Sequence, residues 1–450
     1  MTEILALLQN IAPLFEKTTL HQLSQVVFGM LVASGRITML GLSRWTEKGG
    51  SYRTIQRLYH TVLDWKAIQW LFFQKRLMKA ADEYIIAGDE VVVNKAGKET
   101  YGVDRFFAGL QQQVIPGVSF FAFSLVNVTE EQSYPLQISQ IVKSEPEKAA
   151  RKTKNEAKQA QKTTGKKKPG RPKGSKNKAK AEVVLNAELL RIQSALHSLL
   201  ETVGTTISLR YVALDGHFGN YPSAYMVRQQ KLHLISKLRH DAGLYPTFEG
   251  DHPGKGPKPK YGAKLDVRNM DAKYLKQSTT DGKFRTDIYQ GQFFNKEFAF
   301  ALNVVILLKT NLATNAQSHV ILFSTDLEQN FDQIIHFYSL RFQIEFNFRD
   351  AKQYWGLEDF MNVKDTAVTN AANLAFFMVN ISQALLQPFR QTHPDFSILD
   401  LKSHYRGYRY ATETIKMLPQ KPDAILLADI FHRIAHLGAI HPRFFPSPNP

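Results

Sequence analysis

The chain has 450 residues, 44% of them hydrophobic and 11% aromatic, enough for roughly two to four domains around a large core. It contains no cysteine, which excludes disulfides, thiolate nucleophiles and cysteine-based zinc sites; any metal must bind through oxygen or histidine. The net charge of +17 calls for a polyanionic partner, and its location is uneven: residues 143–180 hold 15 Lys and Arg against 3 Glu, so everything outside that stretch carries only +5.

Residues 1–82 read as helices, with helical apolar spacing over 20–31, 52–63 and 65–78. Gly49-Gly50-Ser51 supplies a turn and a Ser N-cap, and Arg53 and Arg57 follow in the first turns of the next helix. That helix fits a groove-docking recognition helix or a plain helical bundle equally well. Strand-like runs dominate 83–142, at 84–87 ending in Gly88-Asp89, at 91–93, 106–107 and 118–126. Residues 143–183 are too poor in apolar side chains to offset their ordering entropy, which predicts a disordered basic linker. In 184–238 a helix over 186–203, a buried strand over 207–214 ending at Asp215-Gly216, a helix over 223–230 and a strand over 232–237 form an α/β alternation. Residues 239–318 change texture to Pro/Gly/Lys-rich turns with strand-like runs at 284–289 and 298–309, a β-rich insertion. A strand over 320–324 leads through 319–365 into a helix around Tyr338, and 366–450 is helical again. The first residues lack a basic n-region and no apolar stretch reaches the ~18 residues that span a bilayer. This predicts a soluble, cytoplasmic chain with no membrane partner.

Asp89 and Asp215 each end an apolar run beside a glycine, so their side chains are expected at the edge of a sheet. Either one alone fits a turn residue or a helix cap as well. Tyr338, Arg341, Glu345 and Lys352 sit at offsets 0, 3, 7 and 14, which at ~100° per residue places all four within about 60° on one helix face. Phe337, Leu340, Ile344 and Phe348 form the neighbouring apolar stripe. A solvated charged edge is the plain alternative, with Glu345 paired to Arg341 or Arg349; such exposed pairs contribute under ~0.5 kcal/mol each. So small a gain does not account for the spacing. With Glu345, the two aspartates supply three carboxylates from separate elements, the donor set of a hard divalent cation. Phosphodiester chemistry uses two such cations ~3.5–4 Å apart, one for the attacking and one for the leaving oxygen.

The Tyr-(2)-Arg-(3)-Glu-(6)-Lys spacing resembles the signature of insertion-sequence DDE transposases. The segments Ile86-Ala-Gly-Asp89-Glu-Val-Val-Val-Asn-Lys95-Ala-Gly97 and Leu214-Asp215-Gly-His-Phe-Gly-Asn are similar to those around the family's first and second Asp. The resemblance covers about 83–360. It implies an α/β fold with a ribonuclease-H-like core in three parts (83–142, 184–238 and 319–365), interrupted by the β-rich insertion and flanked by N- and C-terminal helical regions. It implies a metal-binding catalytic triad of Asp89, Asp215 and Glu345 holding two Mg²⁺ (or Mn²⁺) ions, with Tyr338, Arg341 and Lys352 on DNA phosphates. It further implies a homodimer that binds terminal inverted repeats, cuts double-stranded DNA and joins the ends to a target, the insertion helping to grip the transposon end. Three positions depart from the pattern: Val91 stands where Thr is frequent, Phe342 where Trp commonly follows the Arg, and 239–318 holds no Trp.

Within the basic linker, Gly170-Arg171-Pro172-Lys173 resembles an AT-hook. Proline favours an extended backbone, glycine permits close approach to the groove floor, and arginine is drawn to the negative potential of a narrow A·T-rich minor groove. A nonspecific, solvated polycation is the alternative. For the whole chain, two further functions compete with transposition: a nuclease on the same fold that cuts without joining, and a catalytically dead DNA-binding protein. The complete set of three carboxylates argues against the last.

Overall fold

The computed structural model describes residues 2–46, 49–109, 111–164, 183–251, 254, 256–435 and 437–441. Among the described residues the chain opens with the α-helices α1 (Thr2–Leu8), α2 (Lys17–Val32), α3 (Met39–Ser43), α4 (Tyr52–His60) and α5 (Trp65–Arg76). Ser51 caps α4 by accepting from the Thr54 N–H, and Asp64 caps α5 through the Ala67 N–H. Helix α4 buries Ile55, Leu58 and Tyr59 and leaves Arg53 and Arg57 exposed on its other side.

The β-region follows with β1 (Tyr84–Asn94), β2 (Asp104–Ala108), β3 (Gln113–Asn127) and β4 (Gln132–Ile141). Strand β4 was not evident in the sequence. Pro135 and a polar composition hide it, and its pairing with β3 shifts register at Phe123/Ser124. Next come α6 (Glu145–Thr164), α7 (Ala187–Val203), β5 (Tyr211–Leu214), α8 (Tyr221–Gln229) and β6 (His233–Lys237). The chain continues with β7 (Leu244–Tyr245), β8 (Leu275–Asp281), β9 (Phe284–Asn295), β10 (Ala301–Asn311) and β11 (Gln317–Ser324). It ends in α9 (Phe331–Leu340), α10 (Gln343–Gln353), α11 (Asp365–Arg390), α12 (Ile398–Met417) and α13 (Ala424–Ile434).

All the strands join one mixed sheet, in the order β2-β3-β1-β5-β6-β11-β10-β9-β7, with β4 on β3 and β8 on β9. Strands β1, β5 and β6 run parallel and the remaining pairings are antiparallel. Residues 239–318 are β-rich as expected, yet β9 and β10 extend the same sheet through β11, whose Leu322–Ser324 stretch pairs with Ile235–Lys237.

The expectation of disorder over 143–183 is corrected for its first half, because α6 is helical from Glu145 to Thr164. Ala, Glu, Lys and Gln favour helix without needing an apolar stripe, and two acids occupy the first turn. Both oxygens of Glu147 accept from the Arg191 guanidinium on α7 at 2.9 Å. That pairing above all holds the Glu147 carboxyl down at about 2. Lys143 and Arg151 each donate to the Arg105 carbonyl, at 2.9 and 2.8 Å, and pair with Asp104. Gly170, Arg171, Pro172 and Lys173 lie outside the described residues.

Helix α11 is buried along most of its length and ties the N-terminal helices to the sheet. Asn370 donates to the carbonyls of Leu58, Tyr59 and Thr61 at the end of α4 and accepts from the Trp65 indole at 2.7 Å. Asn380 spans from Gln69 on α5 to the Pro135 carbonyl on β4. On α12, Lys402 donates to the Met30 carbonyl and Arg406 to those of Val32 and Ala33, so two cations satisfy the open C-terminal end of α2.

Burial, with Arg406 nearby, draws the Lys402 ammonium down to about 7, against about 10.4 in an unfolded chain. Between those values the unfolded state binds the extra proton, so stability rises with pH there by up to ~1.4 kcal/mol per pH unit. Below that window both states are protonated and the full cost of burying the charge remains. Lys402→Met is therefore expected to flatten the rise in melting temperature between about pH 7 and about pH 9, as calorimetry would show; an unchanged rise would mean that other groups cause it.

Candidate active site

Asp89 lies in the middle of β1 rather than at the end of a strand, which corrects the sequence expectation. It still reaches an edge, because its parallel neighbour β5 is shorter: Gly88 pairs with Leu214, and the next residues are Asp89 and Asp215. Asp89 therefore emerges where β5 stops. Gly88 is required by close approach, since a Cβ there would lie 2.7 Å from Phe123 and 2.8 Å from Leu214. Asp215 opens a 3₁₀ turn over Gly216–Phe218 and accepts from the His217 N–H at 3.1 Å.

The predicted single helix through Tyr338 and Lys352 is two helices. Between α9 and α10 the bonds tighten to i→i+3, from Phe342 N–H to Ser339, Ile344 N–H to Arg341 and Glu345 N–H to Phe342. This kink turns Arg341 inward, with its side chain only 13% exposed. One guanidinium nitrogen donates to Asp89 Oδ2 at 3.1 Å and the other to Glu345 Oε1 at 3.3 Å. Arg341 thus joins the first and third carboxylates, while its Nε is buried without a partner among the described residues. The Tyr338 ring lies beside the same guanidinium, 5.8 Å from ring centre to Cζ. Burial raises the Tyr338 hydroxyl, and the charges of Asp215 and Asp89 add to the rise.

Lys352 is not in this cluster. Its ammonium donates to the Val92 carbonyl at 2.9 Å and pairs with Glu358 at 3.1 Å, about 10 Å further along β1 at ~3.3 Å per residue. Lys95 holds the same loop through the carbonyls of Glu358 and Phe360. Glu358 carried no recognisable sequence signal, and Lys95, though inside the segment singled out around Asp89, carried none for this contact, since a loop contact with a backbone carbonyl leaves no periodicity.

Burial above all, with the charges of Asp215 and Glu345, pushes the Asp89 carboxyl up to about 6 against the pull of the Glu90 N–H and Arg341. Three carboxylates thus share one field that a single guanidinium only partly neutralises. All-oxygen donors on three separate elements suit a hard divalent cation. Among the described residues, no three Asp, Glu or His side chains are grouped closely enough to hold one as they stand, because Arg341 takes up the space between Asp89 and Glu345.

The family model described as DDE superfamily endonuclease matches residues 10–292, well over half of the chain. The chain belongs to this family. Asp89 and Asp215 fall within the matched stretch and Glu345 lies beyond it. No curated protein matches the chain. Among solved structures it is similar to a piggyBac transposase synaptic complex with hairpin DNA, seen by cryo-electron microscopy, at 12% identity and a TM-score of 0.39 over 93% of this chain and 78% of that one. Among the described residues, no helix is long and apolar enough to cross a membrane.

With Arg341 in the phosphate-contacting role expected from the sequence, Arg341→Ala should slow DNA cleavage by about 100-fold while changing duplex affinity less than ~3-fold, because only local positioning is lost. Lys352→Ala is expected to lower the melting temperature as well, since its bonds to Val92 and Glu358 brace β1 against the loop. Melting curves recorded beside cleavage rates check both. A large melting loss with a proportionate activity loss in Arg341→Ala would make that residue purely structural.

Proposed function

We propose that the chain is a metal-dependent DNA transposase that binds the terminal inverted repeats of its own element as a homodimer, cuts at their ends and joins them to target DNA. The observation that carries this reading is the meeting of Asp89, at the edge left by β5, with Asp215 beside it and Glu345 linked through Arg341. A ribonuclease-H-like core fits the strand sequence β4-β3-β1-β5-β6, antiparallel over its first three members and parallel from β1 to β6.

On this reading Asp89, Asp215 and Glu345 hold Mg²⁺ or Mn²⁺, which supplies charge to the attacking and leaving oxygens of the phosphodiester. Arg341 exchanges its carboxylate partners for a phosphate oxygen, as a two-pronged donor suits. Tyr338 donates its hydroxyl to a second oxygen, and Lys352 trades Glu358 for the DNA backbone. Exposed Arg53 and Arg57 on α4 make further phosphate contacts. Residues 239–318 grip the transposon end. There Lys258, Lys260 and Lys296 lie over the rings of Phe248, Tyr261 and Tyr245, a basic aromatic surface suited to backbone and bases. The division into seven segments proposed from the sequence follows the same reading.

Strand transfer is the deciding experiment. Duplexes bearing the sequence that flanks the gene, one set intact and one pre-cut to expose a 3′-hydroxyl, are incubated with the protein, Mg²⁺ and a supercoiled plasmid. Covalent joining is expected; cutting without joining establishes the nuclease, and binding without either establishes an inactive DNA-binding protein.

A further inference from the structure

The turn that carries Asp215 is fastened on its inner side by two contacts. Ser236 on β6 donates its hydroxyl to the Asp215 carbonyl at 2.7 Å. Gly219 closes the turn onto the end of β6 so tightly that a Cβ would lie 2.0 Å from the Lys237 carbonyl oxygen. On the outer side the His217 ring does the fastening. Its Nε2 lies 3.2 Å from Glu188 Oε1, in the first turn of α7, and its edge packs against Phe218 at 5.0 Å and 85°. Helix α7 is itself held one turn further on by the Arg191–Glu147 pair.

We propose that Glu188 and His217 are positioning residues for Asp215, a strut from α7 that fixes the turn so that its carboxylate stays beside Asp89. The inference rests on the reading of Asp215 as a cation-holding carboxylate. The His217 N–H engages Asp215 Oδ1, so the direction of the free oxygen, Oδ2, depends on where that N–H sits. The N–H is fixed by the ring through its own residue. Both partners are substantially exposed, with side-chain accessibilities of 66% and 37%, and exposed pairs contribute little to stability. A purely structural pair would therefore leave the site unaffected when removed. Partners behind a metal ligand, by contrast, typically change metal affinity or activity by about 10- to 100-fold.

The test uses the full chain and Mn²⁺ alone as probe, followed by electron paramagnetic resonance, with cleavage, duplex binding and melting temperature measured in parallel. His217→Ala and Glu188→Ala are expected to weaken Mn²⁺ binding by about 10-fold or more and to slow cleavage by a similar factor. Duplex affinity and melting temperature stay at the wild-type values. His217→Gln, which keeps an N–H to offer Glu188, recovers most of the loss. Wild-type Mn²⁺ affinity in both alanine variants overturns the strut, as does a loss matched by a fall in melting temperature. Asp215→Asn separates the two layers: if it loses Mn²⁺ while His217→Ala keeps it, the strut alone falls. If Asp215→Asn binds Mn²⁺ and cleaves as wild type does, the carboxylate reading falls and takes the strut with it.

Discussion

Asp89→Asn, Asp215→Asn and Glu345→Gln are each expected to reduce Mg²⁺-dependent cleavage by at least about 1,000-fold, since each removes an oxygen donor from the proposed cation-holding set. Duplex binding is expected to persist, because the proposed phosphate contacts lie on other side chains. Asp89→Asn carries a second, diagnostic expectation. The Asp89 carboxyl is raised to about 6 by burial and by the charges of Asp215 and Glu345, so its ionised form is held at a cost to the folded state. Neutralising it leaves the melting temperature unchanged or higher, the pattern of a functional group that opposes stability. Cleavage of a plasmid bearing the flanking sequence, gel-shift binding and calorimetry on the same preparations check this. A Glu345→Gln protein cutting at near the wild-type rate would remove Glu345 from the triad and leave the two aspartates standing.

Replacing residues 165–182 with a neutral Gly/Ser segment of equal length is expected to have the largest effect on DNA affinity. That stretch holds 8 Lys and Arg against a single acid, Glu182. At a slope of ~0.9 per neutralised phosphate, the dependence of log affinity on log salt should flatten by about four to seven units. The anchored part of α6 is untouched, so the melting temperature should not move. Arg171→Ala tests the AT-hook within the stretch: it should weaken A·T-rich duplexes more than G·C-rich ones, because groove width and potential carry the preference. Equal losses on both duplexes would leave a nonspecific polycation. An unchanged salt slope after the replacement would remove the segment from DNA binding altogether.

Periodicity and local composition were enough to read the N-terminal helices, the helix over Ala187–Val203, the strand that carries Asp89 and the one that ends before Asp215, and the β-rich texture of 239–318. These features depend on spacing between near neighbours, which a linear sequence contains. Helix α6 escaped because its helix propensity comes without an apolar stripe, and β4 because a proline and polar residues conceal its alternation. The position of Asp89 depended on where a neighbouring strand ends, a property of β5 and not of β1. Residue spacing placed Tyr338, Arg341 and Glu345 together, but ideal helix geometry also placed Lys352 with them. The 3₁₀ kink at Arg341 and Phe342 and the loop holding Glu358 sent it elsewhere. His217 stood inside a segment singled out for Asp215, yet its partner Glu188 lies 29 residues away on another helix. What the sequence by itself determined was which residues could do the chemistry and which elements carry them. Which carboxylates share a field, and which cation lies between them, was decided only by tertiary structure, because charges couple through space over a few ångströms whatever their separation along the chain.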